Sequence, residues 1–307
     1  MSLTTLIREA EVLEKFKPLR PDGPRKIEAS IKVAPATKHY ATIGTAFDYL
    51  LRFELKRRAP HAIERDWVAE EAQVQLEMMA VSPKDAVFSL NSPLPHGYKS
   101  LVAVSERVSE ITFEARNAVA AYTKTKNPGK SDLEKIALHA IHLAKLDPIY
   151  RAAWLDSEFD VIDAADIEDL IELLRIVPFE DLVDKNLIFL NPGFGNSSRL
   201  VGGADADLIT GSKLLDVKTI SANSMNATDL DQILGYFLLT RRERKTNESF
   251  PEIKTLGFYF SRHGHLWTID SNWYLENELF DKTEEWFSAR IEPILKQKKK
   301  KAKKKPR

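Results

Sequence analysis

The 307-residue chain is 43% hydrophobic and 29% charged, has no cysteine, and balances 45 basic against 45 acidic residues. This is ordinary globular composition, and the missing cysteine excludes disulfides, cysteine-held zinc, iron–sulfur clusters and thiol catalysis. No apolar run reaches the ~20 residues that span a bilayer, and the start, MSLTTLIREAEVLEKF, carries acids early with no apolar signal region; a cytoplasmic protein without membrane contact is expected.

In chain order, Leu6, Ala10, Leu13 and Phe16 recur at helical spacing and predict a short helix within residues 1–20. Residues 18–26 (PLRPDGPRK) are a breaker-rich linker, and Ile27 to Val33 reads as a short strand or an extended arm. Thr42 to Arg58 is a strong helix. Its apolar face is Ile43, Ala46, Phe47, Leu50, Leu51 and Leu55, with Asp48 among aromatics and Pro60 beyond its end. Val68 to Met79 and Leu101 to Thr123 read as helices, and Pro83 to Lys99 as a loop. Ser131-Asp132-Leu133-Glu134 has the form of a capping box, opening a helix to about Lys145 that Asp147-Pro148 should break. Trp154 to Asp166 is polar and acidic, and Ile167 to Leu174 is helical. Residues 1–186 therefore read as a mostly helical region.

Two signals in this half carry little. Gly129-Lys130-Ser131 resembles the end of a phosphate-binding loop, but Lys124 stands where the first glycine belongs and no strand precedes it. His139 and His142 lack the spacing and glutamate of a helical zinc motif.

From Leu187 the period changes. Leu187 to Leu190 is a short apolar run. Leu200 to Ile209 and Leu214 to Ile220 are strand-like around Thr210-Gly211-Ser212-Lys213, a hairpin signal. Asp229 to Arg241 is a helix with Leu230, Ile233, Leu234, Phe237 and Leu238 inward. Ile253 to Phe260 and His265 to Ile269 form a second hairpin, whose His263 and His265 read as turn and strand residues without a ligand role. Leu279 to Leu295 closes the unit. Residues 187–295 are thus βββαββα, an α/β unit with a mixed sheet flanked by helices.

Charge is unevenly placed. Residues 296–307 hold nine basic groups and no acid, leaving 36 basic against 45 acidic in the rest. So dense a lysine run is expected to be a disordered tail. Lys298, Lys299 and Lys300 within it are candidate nucleic-acid contacts, since lysines that neutralise phosphates release counterions; a solvated solubility tail explains them equally well. The acidic body argues against a broad basic groove, so the tail or a partner would supply affinity.

The chemistry concentrates between Gly202 and Tyr236. Asp216 and Lys218, two apart on a strand, point to one face, and the hairpin can bring Asp207 alongside Asp216. Clustered carboxylates repel unless a cation joins them, and hard divalent cations take oxygen ligands, with the Val217 carbonyl a further candidate. Such a metal polarises a phosphoryl oxygen and generates hydroxide, while Lys218 orients water or offsets developing charge. Asp-x-Lys alone is common as an exposed pair; on a strand with Leu214, Leu215 and Val217 it needs a reason.

Asp207-Leu-Ile, Leu-Leu-Asp216-Val-Lys218-Thr219 and Gln232-Ile-Leu-Gly-Tyr236 together resemble the RecB-like branch of the PD-(D/E)XK nuclease superfamily. The resemblance covers about residues 190–270. It implies a restriction-endonuclease-like core at 187–295 and a Mg²⁺- or Mn²⁺-dependent DNA nuclease of exonuclease type. Asp207 and Asp216 would hold metal, Lys218 would position water, Gln232 would touch substrate or a metal-bound water, and Tyr236 a phosphate; a capping glutamine and a core tyrosine are the plainer alternatives. The branch also places a glycine four residues before a metal-touching histidine on an upstream helix. Here that pair is Gly44 and Asp48, and an all-oxygen site favours Mg²⁺. Asp205 competes with Asp207 for the acidic position. Ser197, Ser198 and Arg199 are phosphate-binding candidates. Relatives on this fold serve recombination, repair and defence, so a protein partner in such a complex is expected. A catalytically idle or partner-dependent binding subunit is the alternative.

Overall fold

The computed structural model describes residues 2–21, 26–82 and 89–302, with side chains described as far as residue 292. Two short helices, α1 (Leu3–Leu6) and α2 (Ala10–Phe16), open the chain, because the backbone at Glu9 is extended and splits the single expected helix. Then come α3 (Tyr40–Arg58), β1 (Ile63–Glu64), α4 (Val68–Val81), α5 (Leu101–Tyr122), α6 (Lys130–Ala152), α7 (Ala164–Arg175) and α8 (Phe179–Leu182). The second half contributes β2 (Ile188–Leu190), α9 (Gly195–Val201), β3 (Leu208–Thr210), β4 (Lys213–Lys218), α10 (Ala227–Arg244), β5 (Thr255–Phe260), β6 (His265–Asp270), α11 (Asn272–Leu275) and α12 (Phe280–Ala302).

Among the described residues the strands form one six-stranded mixed sheet in sequence order. β1–β2 and β4–β5 are parallel, and the remaining neighbours are antiparallel. Parallel neighbours need a crossover, which α10 supplies between β4 and β5. Side-chain alternation then sorts the core into two layers. Leu208, Leu215 and Tyr259 face one way and pack with α3 to α8. Leu214, Leu256, Phe258 and Phe260 face the other way and pack with α1, α2, α9, α10 and α12. Each such buried side chain contributes roughly 1.5–3 kcal/mol. Asp216 and Lys218 share the phase of Leu214, so they lie on the α10 face.

The expected apolar face of α3 is buried, and Tyr49 and Phe53 are buried with it, because α3 lies between α6, α7 and the sheet rather than at a surface. Several expectations are corrected. The helix beginning near Ser131 does not end at Lys145: α6 runs through Pro148 to Ala152. Proline removes one helical donor, but Leu146 and Ile149 on either side are fully buried and hold the turn in place. Its start is capped by Asp132, which accepts from Gly129 N–H at 2.8 Å, two residues before the expected box. Leu200 to Ile209 is not one strand. α9 occupies its start, Gly202 at φ 83° ends that helix in the left-handed region, and β3 begins only at Leu208. Ile27 to Val33 forms no strand; the Lys32 and Val33 amides donate to the Arg262 carbonyl.

The lysine run begins inside the last helix. α12 is described as far as Ala302 and takes in the backbone at Lys298, Lys299 and Lys300. Their side chains, and residues 303–307, lie outside the described residues, as do 22–25 of the linker and 83–88 of the loop. No helix among the described residues is long and apolar enough to cross a membrane.

Candidate active site

The β3–β4 hairpin does bring the two acids together. Its register sets Leu208 opposite Leu215, which leaves Asp207, just ahead of β3, beside Asp216 and Val217. Asp207 Oδ2 accepts from the Val217 backbone N–H at 2.6 Å. Burial pushes the Asp207 carboxyl well above the ordinary carboxylate range, and the charges of Asp216 and then Asp48 push it further. Burial raises Asp216 as well, against the opposing pull of Lys218. Two acids that each resist ionisation beside the other are a reservoir of repulsion that a cation would relieve.

Lys218 stands at the end of β4, where the sheet gives way to α10. Its Nζ lies 2.9 Å from Asp216 Oδ2, 3.1 Å from Asp229 Oδ1 and 3.2 Å from Gln232 Oε1. Burial alone would lower the ammonium pKa, but Asp216 and Asp229 outweigh it and hold the group charged. Gln232 Nε2 in turn donates to the Tyr236 hydroxyl oxygen at 2.7 Å. One turn of helix separates them, so Lys218, Gln232 and Tyr236 form a continuous chain along α10. Burial, with Asp216 and Asp207, raises the Tyr236 phenol well above its usual range, so it stays neutral.

Asp48 reaches the same cleft from α3. A Cβ on Gly44 would meet the Thr219 side chain at 3.9 Å, so the start of α3 lies over the end of β4. Asp48 does not stand free, however. Arg52, one turn on, donates to its Oδ2 at 2.8 Å. Arg52 is itself 4% exposed, sits 4.3 Å from the Tyr49 ring centre, and leaves its Nη1 without a partner. Among the described residues no three His, Cys, Asp or Glu side chains converge closely enough to hold one metal ion. The donor chemistry at Asp207 and Asp216 nevertheless fits a divalent cation. Asp216 Oδ2 is buried and, besides the Lys218 ammonium 2.9 Å away, has no partner among the described residues. Two carboxylates with water suffice for Mg²⁺.

Other candidates are placed differently. Ser197 is buried and donates to Glu243 at 3.1 Å; Ser198 accepts from the Phe194 N–H and donates to the Ala204 carbonyl. Ser197 thus ties α9 to α10 and Ser198 ties it to the segment after it, and both hydroxyls spend their donors there, while Arg199 on the same helix is exposed at the cleft. Asp205 does not share a strand with Asp207: it bridges to Gly193 and pairs with Arg65. His139 and His142 are buried in α6, where burial lowers both, His142 to about 4. His263 is buried at the β5–β6 turn, 3.3 Å from Asn223.

A cleft of about 1480 Å³ lies between α9, the middle of α3 and the end of α6, lined by Asp48, Asp207, Asp216, Gln232 and Tyr236 among others. Small-molecule pockets are roughly 300–1000 Å³. The charged lining of the cleft is four arginines, Arg52, Arg65, Arg151 and Arg199, and five acids, Asp48, Asp205, Asp207, Asp216 and Glu243, with Arg52 and Arg65 paired to Asp48 and Asp205, so it is not a basic groove. Three groups escaped the sequence reading. Asp229 hides as an ordinary helix-capping acid, accepting from Asn226 N–H at 3.1 Å; the Asn-x-x-Asp spacing was its only signal. Arg52 and Arg151 each follow an acid by four residues, Asp48 and Asp147, a common helical pairing; that both reach the cleft depends on how α3 and α6 pack. No protein-family model, curated protein or solved structure matches this chain.

Proposed function

We propose that this protein is a divalent-metal-dependent nuclease that hydrolyses phosphodiester bonds in DNA, on a PD-(D/E)XK-like core of RecB type. The observation that carries the reading is the convergence of Asp207, Asp216, Gln232 and Tyr236 in one cleft, with Lys218 joined to Asp216 and Gln232 and Gln232 to Tyr236. The strand–hairpin–helix–strand order from β2 to β5 is compatible with such a core. Asp207 and Asp216 would hold Mg²⁺ or Mn²⁺, with Asp48 available if Arg52 releases it. Bound there, the cation would supply Lewis-acid charge at the phosphate.

The chain's own groups have defined tasks. Lys218 is kept charged by Asp216 and Asp229 and is aimed by Gln232, which suits it to orient the attacking water and to offset charge developing on the phosphate. Gln232, fixed at both ends, holds Lys218 and Tyr236 in register. Arg151 and Arg199 at the cleft are suited to backbone phosphates. Incubating linear and circular, single- and double-stranded DNA with Mg²⁺, Mn²⁺ or EDTA tests the reading. Divalent-dependent cleavage that Lys218→Ala removes supports it; equal cleavage by both proteins sinks it.

A second reading is a nucleic-acid-binding subunit that is idle alone or needs a partner, in repair, recombination or defence. What favours it is the occupied state of the two outer groups: Asp48 is tied to Arg52, and Lys218 is paired with two acids. Inactivity of the pure protein despite DNA binding would support this alternative.

A further inference from the structure

α6 continues past Pro148, and this extension carries Tyr150 and Arg151 to the cleft. The position is built from beneath. Asp147 is 4% exposed and accepts from the Tyr49 hydroxyl at 2.7 Å. Its other oxygen lies 3.5 Å from Arg151 Nε. Tyr49 in turn lies under Arg52, the buried arginine with an unpartnered Nη1 that lines the same cleft. Tyr150 is 47% exposed. A lone exposed aromatic needs no explanation; here it stands on a fixed helix end, next to a cation, in the cleft that holds the acids.

We propose that the cleft takes an unpaired, single-stranded stretch of nucleic acid, with Tyr150 as the stacking surface for a base and Arg151 as a contact for the adjoining phosphate. Only unpaired bases have a free face for a side chain, because in a duplex each base already stacks on its neighbours. An arginine lining the same cleft adds phosphate attraction that does not depend on sequence. The inference rests on the nuclease reading for its substrate class, but its test does not require cleavage.

The test uses the full chain in EDTA, with a fluorescein-labelled oligothymidylate and a duplex of equal length, read by anisotropy. Tyr150→Ala should weaken single-strand binding about 10-fold, the loss of one stacked base, and leave duplex binding unchanged. Tyr150→Trp should restore it. Arg151→Gln should lower the slope of log affinity against log salt by about one contact. An unchanged thermal midpoint for these surface variants separates the effect from unfolding. Absence of single-strand binding by the intact protein, equal affinity in Tyr150→Ala, or a parallel loss for the duplex would each overturn the proposal. Strand-selective binding through Tyr150 in a protein that cleaves nothing would leave the subsite standing and the nuclease reading fallen. Cleavage of both strand forms, indifferent to Tyr150, would do the reverse.

Discussion

Asp229 Oδ1 lies 3.1 Å from Lys218 Nζ, joining the first turn of α10 to the end of β4. The same carboxylate caps its own helix through Asn226, so a local helix signal also steers the candidate catalytic lysine. Lys218→Ala should lower kcat by roughly 10²–10³-fold, as loss of one charge-stabilising group does. Asp229→Asn keeps the cap acceptor and should cost about 10-fold or more in kcat, as removal of an orienting partner does, with DNA affinity in EDTA unchanged. Steady-state kinetics on a labelled substrate and anisotropy binding check both values; a KM effect alone in Asp229→Asn would remove its orienting role.

Divalent cations should stabilise the fold through Asp207 and Asp216. At a hundredfold excess over Kd, a ligand bound only by the native state adds about 2.7 kcal/mol, visible as a rise of several degrees in Tm with Mg²⁺ or Mn²⁺. Asp207→Asn should abolish that rise. In EDTA near neutral pH the same variant should melt higher than the parent, because it removes a buried acid that burial and Asp216 keep from ionising. Differential scanning calorimetry with and without EDTA reads both effects.

Asp147 makes stability depend on pH. Burial, its largest influence, raises its pKa to about 6 from an ordinary 3.8, despite the Tyr49 hydrogen bond and Arg151. The folded chain therefore holds this proton more tightly than the unfolded chain does. Its contribution is fully present below about pH 4 and is lost as pH rises through about 6, on the order of 3 kcal/mol at most. Asp147→Asn, which keeps an acceptor for Tyr49, should flatten that part of the profile and stabilise the protein above pH 6. Urea denaturation from pH 4 to 8 gives the comparison; an unchanged profile would show that Asp147 titrates normally.

Arg262 and Asp169 form a buried two-pronged ion pair at 2.9 and 2.8 Å, tying the β5–β6 turn to α7. Arg262→Ala would strand Asp169, 3% exposed, without its partner. A loss of 3–5 kcal/mol is expected, measured by urea midpoint. Replacing both residues by apolar ones of similar volume should recover much of it.

How far the site could be read from sequence depended on whether its geometry was local. Asp216 and Lys218 share a face because a strand repeats every two residues, and Gln232 and Tyr236 touch because a helix brings i and i+4 together. The hairpin turn sufficed to bring Asp207 to Asp216. Asp229 was hidden because a capping acid and an orienting acid look alike until the strand end beside them is known. α6 was cut short because proline propensity is a local term, and the burial of Leu146 and Ile149 that overrides it is not.

By itself the sequence determined the chemistry available: two acids and a lysine on a hairpin, a glutamine and tyrosine on a helix, no thiol, and a mixed α/β second half. The pairing of Asp48 with Arg52 is likewise local, four residues apart on one helix. Only the tertiary structure decided that Asp229 joins Asp216 at Lys218, and that four arginines and five acids come to line one cleft. Each of these depends on contacts between segments far apart in the chain. Such contacts are set by how helices and sheet bury their apolar faces together, and no local spacing encodes them.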